Sequence, residues 1–209
     1  MKKQLTFYFI RHGKTVWNTE GLMQGHGDSP LTEEGVNSAK KTGVALNSIP
    51  FVAAYSSVLK RTIATASHII GERDIPLFHH KGLNEQYFGS WEGKVVDTLR
   101  EHPEFKQLIK DPTNYKAQAN GGETFEQLGE RAMKALQDII KIHDQGNILI
   151  VSHGHTLRLL LALLNGATWQ NHRDEDKSVS LINTSISVVH YDDENGFRVE
   201  KMNDADHLK

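Results

Sequence analysis

The chain has 209 residues, 38% of them hydrophobic and 24% charged, with 24 basic residues set against 26 acidic ones and no cysteine. That composition belongs to a folded globular protein, not to a disordered or collagen-like one. Without cysteine there is no disulfide scaffold, thiolate metal site or thiol nucleophile. Charge is concentrated in no tail or stripe, so neither nucleic acid nor an anionic membrane is expected as a partner.

In chain order, the basic start Met1-Lys2-Lys3 leads into an apolar run that stops at Arg11 without a cleavage-like site. No signal peptide is expected, and the expected compartment is the cytoplasm. Leu5 to Ile10, rich in Phe, Tyr and Ile, reads as a buried strand, and the glycine-rich Arg11 to Pro30 as a loop. Thr32 can cap a helix that carries Glu33 and Glu34 at its positive end, with Val36, Ala39, Val44 and Leu46 as its apolar stripe. Phe51 to Tyr55 is a second strand, and Ser57 opens a helix reaching Ile70. Residues 74–122 are less regular. Glu123 to His143 is an amphipathic helix, Asn147 to Val151 a strand, and His155 to Leu164 a helix. That helix holds the longest apolar run, Leu159 to Leu164, far below the roughly 18 residues of a membrane span. Ser185 to Tyr191 and Phe197 to Lys201 flank a turn and predict a hairpin. Strands alternating with helices predict an α/β/α sandwich with a mostly parallel sheet and an antiparallel C-terminal strand. One domain, 1–209, is enough.

Polar, reactive side chains follow short apolar runs at four places: Arg11-His12-Gly13, Ser57 to Arg61, Glu85, and Ser152-His153-Gly154. Ligands of open α/β sheets bind at the carboxyl ends of strands. Two arginines, two histidines and a carboxylate gathered there make an anion site with a nucleophile and a proton donor, suited to a phosphate ester. Each has a plainer reading alone: a turn histidine, a surface arginine, a solvated glutamate. Their common placement favours the chemical reading.

Three other patterns are set aside. Gly13-Lys14-Thr15 resembles the end of a P-loop, but Tyr8 stands where the upstream glycine is needed. His153-Gly154-His155 lacks companion ligands at metal-site spacing. No strand precedes Asp174-Glu175-Asp176, as an aspartyl-phosphate loop would require.

Phe9-Ile10-Arg11-His12-Gly13-Lys14-Thr15-Val16-Trp17-Asn18 resembles the signature of the histidine phosphatase superfamily, also called phosphoglycerate mutase-like. Ordered blocks continue the resemblance: Gln24-Gly25, Asp28 to Gly35, Ser56 to Ala66, Leu83-Asn84-Glu85 with Phe88 to Gly93, and Val151 to Gly154. By matching position, the resemblance implies that His12 is the phosphoryl-accepting nucleophile. Arg11, Arg61 and His153 would hold the non-bridging oxygens, and Glu85 would act as general acid and then base. Asn18, Gln24, Gly25 and Gly154 would contribute to phosphate or substrate binding. Arginines supply the positive charge, so no metal is expected.

The implied reaction is hydrolysis of a small phosphorylated metabolite through a phosphohistidine. The alternative is a cofactor-dependent phosphoglycerate mutase, which alone would need 2,3-bisphosphoglycerate. Mutases of the family typically have Arg after the catalytic Glu, where this chain has Gln86, and the stretch from Glu85 to His153 looks short for one. Both features favour hydrolysis, although Lys94, Arg100, Lys106 and Lys110 could still supply charge to the pocket. A non-catalytic phosphate-binding module would be expected to have lost His12, Glu85 or an arginine, and all are present. Residues 74–122 are expected to form a lid that sets specificity, with Tyr87, Phe88, Trp91 and Tyr115 as pocket wall or as lid packing. The expected partners are a small phosphate ester and, through an exposed strand edge, a second copy of the chain.

Overall fold

A computed structural model describes residues 2–209, so Met1, at the head of the basic start, lies outside the described residues. Side chains alternate along the first strand, β1 (Gln4–Arg11): Leu5, Phe7 and Phe9 enter one core, and Ile10 with Tyr8 the opposite one. Helix α1 (Val16–Glu20) starts with a reciprocal capping box between Thr15 and Asn18. Thr32 caps α2 (Glu33–Ala45) by accepting from the Gly35 N–H. The buried line of α2 is Gly35, Ala39, Thr42 and Leu46 at helical spacing. Val44 falls off that line and is 70% exposed, which corrects its place in the expected stripe.

Strand β2 (Phe51–Ser56) leads to α3 (Lys60–Ile70). Ser57 does not open this helix, because Leu59 takes the cap position and the Ser57 hydroxyl is engaged elsewhere. The middle segment holds the edge strand β3 (Leu77–His79), short 3-10 turns at Lys81–Leu83 and Gly89–Trp91, and helices α4 (Val96–Leu99) and α5 (Pro103–Lys110). Then come α6 (Phe125–Ile142), β4 (Gln145–Ser152), α7 (Gly154–Leu164), β5 (Ile186–Asp192) and β6 (Gly196–Asp204).

The sheet order is β3-β2-β4-β1-β5-β6. The first four strands are parallel, β5 runs antiparallel to β1, and β6 antiparallel to β5. Helices α6 and α7 cover one face, packing Leu136, Ile139, Leu157 and Leu160 on Phe7, Phe9, Ile148 and Ile150. Helices α2 and α3 cover the other, with Ala39, Ala66 and Ile69 on Ile10, Leu149 and Val151. This is the mostly parallel sandwich read from the sequence. A third core, built from Phe88, Trp91, Leu99, Phe105, Leu108 and Tyr115, joins the middle segment to Phe125 and Leu128 of α6.

Register positions the chemistry. Arg11 pairs with Ser152 and Ser56 with Val151, so β1, β2 and β4 end level at one edge. Gly13 then lets the loop after β1 press on the start of α2, where a Cβ would stand 2.7 Å from the Gly35 carbonyl oxygen.

Candidate active site

His12 and His153, each one residue beyond the Arg11–Ser152 pair, stand side by side with ring centroids 5.3 Å apart. The His12 backbone N–H donates to Ser152 O at 3.0 Å. His12 Nδ1 lies 2.7 Å from the Gly13 carbonyl. A carbonyl only accepts, so Nδ1 carries the proton and Nε2 keeps a bare lone pair. Burial, then the Arg61 and Arg11 guanidiniums, hold the ring's pKa well below the ordinary 6.5. A neutral ring with a bare nitrogen beside two cations can act as a nucleophile toward an anion.

His153 is fully buried, with Nε2 2.8 Å from Ser57 Oγ. Burial first, and then Arg61 and His12, keep it neutral as well. Arg61, on the first turn of α3, is 1% exposed. It is held by Gly27 O at 2.7 Å, Asp28 Oδ1 at 2.9 Å and Gly25 O. Arg11 gives Nη1 to Leu181 O at 2.6 Å. Gly154 opens α7 where a Cβ would sit 3.2 Å from the Arg11 guanidinium, so its small size lets that side chain cross the helix start.

Among the described residues, four buried side-chain polar atoms have no hydrogen-bond partner, and three of them are Arg11 Nε, Arg61 Nε and His153 Nδ1. Buried donors are normally satisfied. Three orphans on three neighbouring site residues mark a place prepared for an acceptor-rich anion.

Glu85, 8% exposed, reaches the N-terminus of α7. Its Oε1 accepts from the Gln86 and Thr156 N–H groups at 2.9 and 3.0 Å, with the Thr156 hydroxyl at 3.1 Å. Oε2 accepts only from the His155 N–H, at 3.1 Å. The loop bearing Glu85 is clamped by Arg131, which donates to the carbonyls of Gly82, Asn84 and Glu85 and pairs with Glu123.

The remaining sequence candidates lie further out. Asn18 gives its amide oxygen to the Thr15 N–H. Gln24 accepts from Ser29 Oγ at 3.0 Å, and Gly25 serves through its carbonyl on Arg61, so both build the arginine's seat. Lys94, Arg100, Lys106 and Lys110 are exposed, with Arg100 on Asp97 and Lys106 on Glu101. Phe88, Trp91 and Tyr115 pack inside the third core, while Tyr87 is 41% exposed against the His26 ring. Lys14 pairs with Glu34 and Thr15 caps α1, so the P-loop look-alike is taken up in local structure. Sequence reasoning assigned nothing to Thr156 or Arg131. A hydroxyl three residues after His153 at a helix start was a usable signal for the first; only the fold shows the second.

Among the described residues no three His, Cys, Asp or Glu side chains are grouped to hold a metal ion, and no helix is long and apolar enough to cross a membrane.

This sandwich, with two histidines and two arginines at the ends of parallel strands, is the architecture of a phosphoryl-transfer enzyme. The histidine phosphatase superfamily (branch 1) matches residues 7–205, and the chain belongs to that family. It is 32% identical to the adenosylcobalamin/alpha-ribazole phosphatase of Escherichia coli, over 82% of this chain and 86% of that one. It is also 32% identical to a probable phosphoglycerate mutase, GpmB, of Salmonella choleraesuis, over 98% and 95%. The structure of YhfR from Bacillus stearothermophilus superposes with a TM-score of 0.90 at 33% identity, covering 98% of this chain and all of that one.

Proposed function

We propose that the chain hydrolyses a small phosphate monoester through a phosphohistidine on His12. The three orphaned donors carry this reading: Arg11 Nε, Arg61 Nε and His153 Nδ1 need acceptors, and phosphoryl oxygens are acceptors. Ser57 Oγ lies 2.8 Å from His153 Nε2, and in the tautomer in which it donates there the proton of that ring sits on Nδ1, ready for an oxygen.

In the first step His12 Nε2 attacks phosphorus, the P–O ester bond breaks, and the leaving oxygen takes a proton from Glu85. Oε2, which accepts a single backbone hydrogen bond, is the oxygen that carries that proton. In the second step Oε2 takes a proton from water, the water oxygen attacks phosphorus, and the P–N bond breaks to free His12 and phosphate. Fixed guanidinium and imidazole donors stabilise the charge spread over the equatorial oxygens in both steps.

The same reading makes the chain one domain with 74–122 as its lid, cytoplasmic, needing neither metal nor 2,3-bisphosphoglycerate. The phosphate ester is its partner, and the open sheet edges at β3 and β6 leave room for a homodimer. Exposure of Lys94, Arg100, Lys106 and Lys110 withdraws the charge that a mutase pocket would have drawn from the lid. A panel of phosphorylated metabolites, assayed together for free phosphate and for isomerisation, tests the proposal. Phosphate release is expected; isomerisation without it would establish the mutase instead.

A further inference from the structure

Beside the phosphoryl pocket lies a second cationic cluster that the proposed reaction does not use. The segment following α7 returns Arg173 across the lid side of that helix, where its guanidinium lies over the Phe125 ring, 5.6 Å from the centroid. Arg173 Nε reaches His172 Nε2 at 3.3 Å and Nη1 reaches Ile109 O at 3.4 Å, both long bonds. Nη2 sits 3.3 Å from His155 Nδ1.

That last contact is between two donors. Gln86 Nε2 donates to the Glu123 carbonyl, which only accepts, so the Gln86 amide oxygen is the atom 2.9 Å from His155 Nδ1. Nδ1 therefore carries the proton and offers Arg173 no lone pair. Arg158, one helical turn beyond His155 on the same face of α7, gives Nε to Ser178 Oγ at 2.6 Å. Neither of its Nη atoms meets an acceptor among the described residues.

Neither arginine has an ion pair among the described residues. The one carboxylate whose charge supports Arg173 is Glu85, and that group is spent on the N-terminus of α7. Burial and the neighbouring Arg158 press the Arg173 pKa down to about 9, the behaviour of a guanidinium short of a counter-ion. Through the His155 backbone N–H, which Glu85 Oε2 accepts, the cluster adjoins the group that handles the leaving oxygen.

We propose that Arg173 and Arg158 form a subsite for a second anionic group on the leaving-group side of the substrate, so that the enzyme prefers phosphate esters carrying a carboxylate or a second phosphate. This deepens the hydrolase reading and rests on it. A guanidinium fork whose Nη contacts are long, as in Arg173, or lack an acceptor, as in Arg158, matches either group, and the ring of Phe125 backs Arg173 on one face.

The test is a set of preference ratios in kcat/KM. Phosphoserine against phosphoethanolamine isolates the carboxylate, and fructose 1,6-bisphosphate against fructose 6-phosphate isolates the second phosphate. At least one ratio should exceed about 10 in the wild type, and which one does identifies the group. In Arg173→Met that ratio should fall about 10-fold or more, to near one, mostly through KM, and Arg173→Lys should recover part of it. Arg158→Met provides a second variant should the first fold poorly. Malonate should compete with the preferred ester in the wild type and lose that competition in Arg173→Met. Ratios near one in the wild type, or a loss shared equally by both members of a pair, would overturn the subsite. Absence of nitrophenyl phosphate turnover would instead remove the hydrolase reading and this proposal with it.

Discussion

Acidification should unfold the ligand-free protein early, and the buried histidines say by how much. His12, His153 and His155 are held neutral by burial and by arginine neighbours, and burial brings His172 down to about 4. In the unfolded chain each has its ordinary pKa near 6.5. The unfolded state therefore binds more protons below pH 6.5. The stability these neutral rings carry is complete above that value and is lost as pH falls from 6.5 toward the depressed folded values. One pH unit corresponds to about 1.4 kcal/mol for each such group, so lowering pH from 7.5 to 5.5 costs about 1.4 kcal/mol per histidine and roughly 5 kcal/mol for the four. Urea unfolding at the two pH values, in buffers free of phosphate and sulfate, measures it directly. His172→Asn should remove about 1.4 kcal/mol, roughly a quarter of the difference. Inorganic phosphate at about 100 times its Kd should return roughly 2.7 kcal/mol at either pH by binding the folded state alone. Stability that is level from pH 7.5 to 5.5, or a difference untouched by His172→Asn, would refute the assignment of neutral buried rings.

Three further outcomes follow from the same geometry. Glu85→Gln should slow the phosphorylation burst on alkyl phosphates by about 10²–10⁴-fold and on nitrophenyl phosphate far less, because an aryl oxide leaves without an acid. Burst kinetics with both esters decide it, and equal losses in the burst would remove Glu85 as the acid. Activity should survive exhaustive chelation, with vanadate or tungstate inhibiting competitively; loss on chelation, restored by one divalent ion, would demand a metal. Gly89→Ala should destabilise the protein by about 2 kcal/mol or more, since φ there is +54° and a Cβ would meet the Asn120 carbonyl oxygen at 1.9 Å. A thermal melt that leaves it unchanged would show that the middle segment yields at this turn.

What could be read from the sequence was whatever is local or periodic. The run Leu5 to Ile10, rich in Phe, Tyr and Ile, marked a strand, and the polar residues after each strand marked the edge where a sheet binds ligands. Register then did what a one-dimensional reading could only anticipate, by setting Arg11 opposite Ser152 and bringing His12 beside His153. Val44 was misplaced because the buried face of α2 runs through Gly35 and Thr42, neither of which stands out as apolar. Strand β3 was missed because three edge residues carry too little pattern. Arg158 lies in an otherwise apolar helix and Arg173 in a polar loop, and neither position singles its residue out. Their shared lack of counter-ions depends on contacts with Phe125, His155 and Ser178 that no spacing rule predicts.

The central claim is that the phosphoryl group passes through His12, and a rapid-quench experiment with a ³²P-labelled ester tests it most directly. The wild type should carry an acid-labile, base-stable label on His12 Nε2 during turnover, and His12→Ala should lose both the label and nearly all activity. Full labelling of His12→Ala would place the nucleophile elsewhere, with His153, 5.3 Å away ring to ring, the first residue to examine.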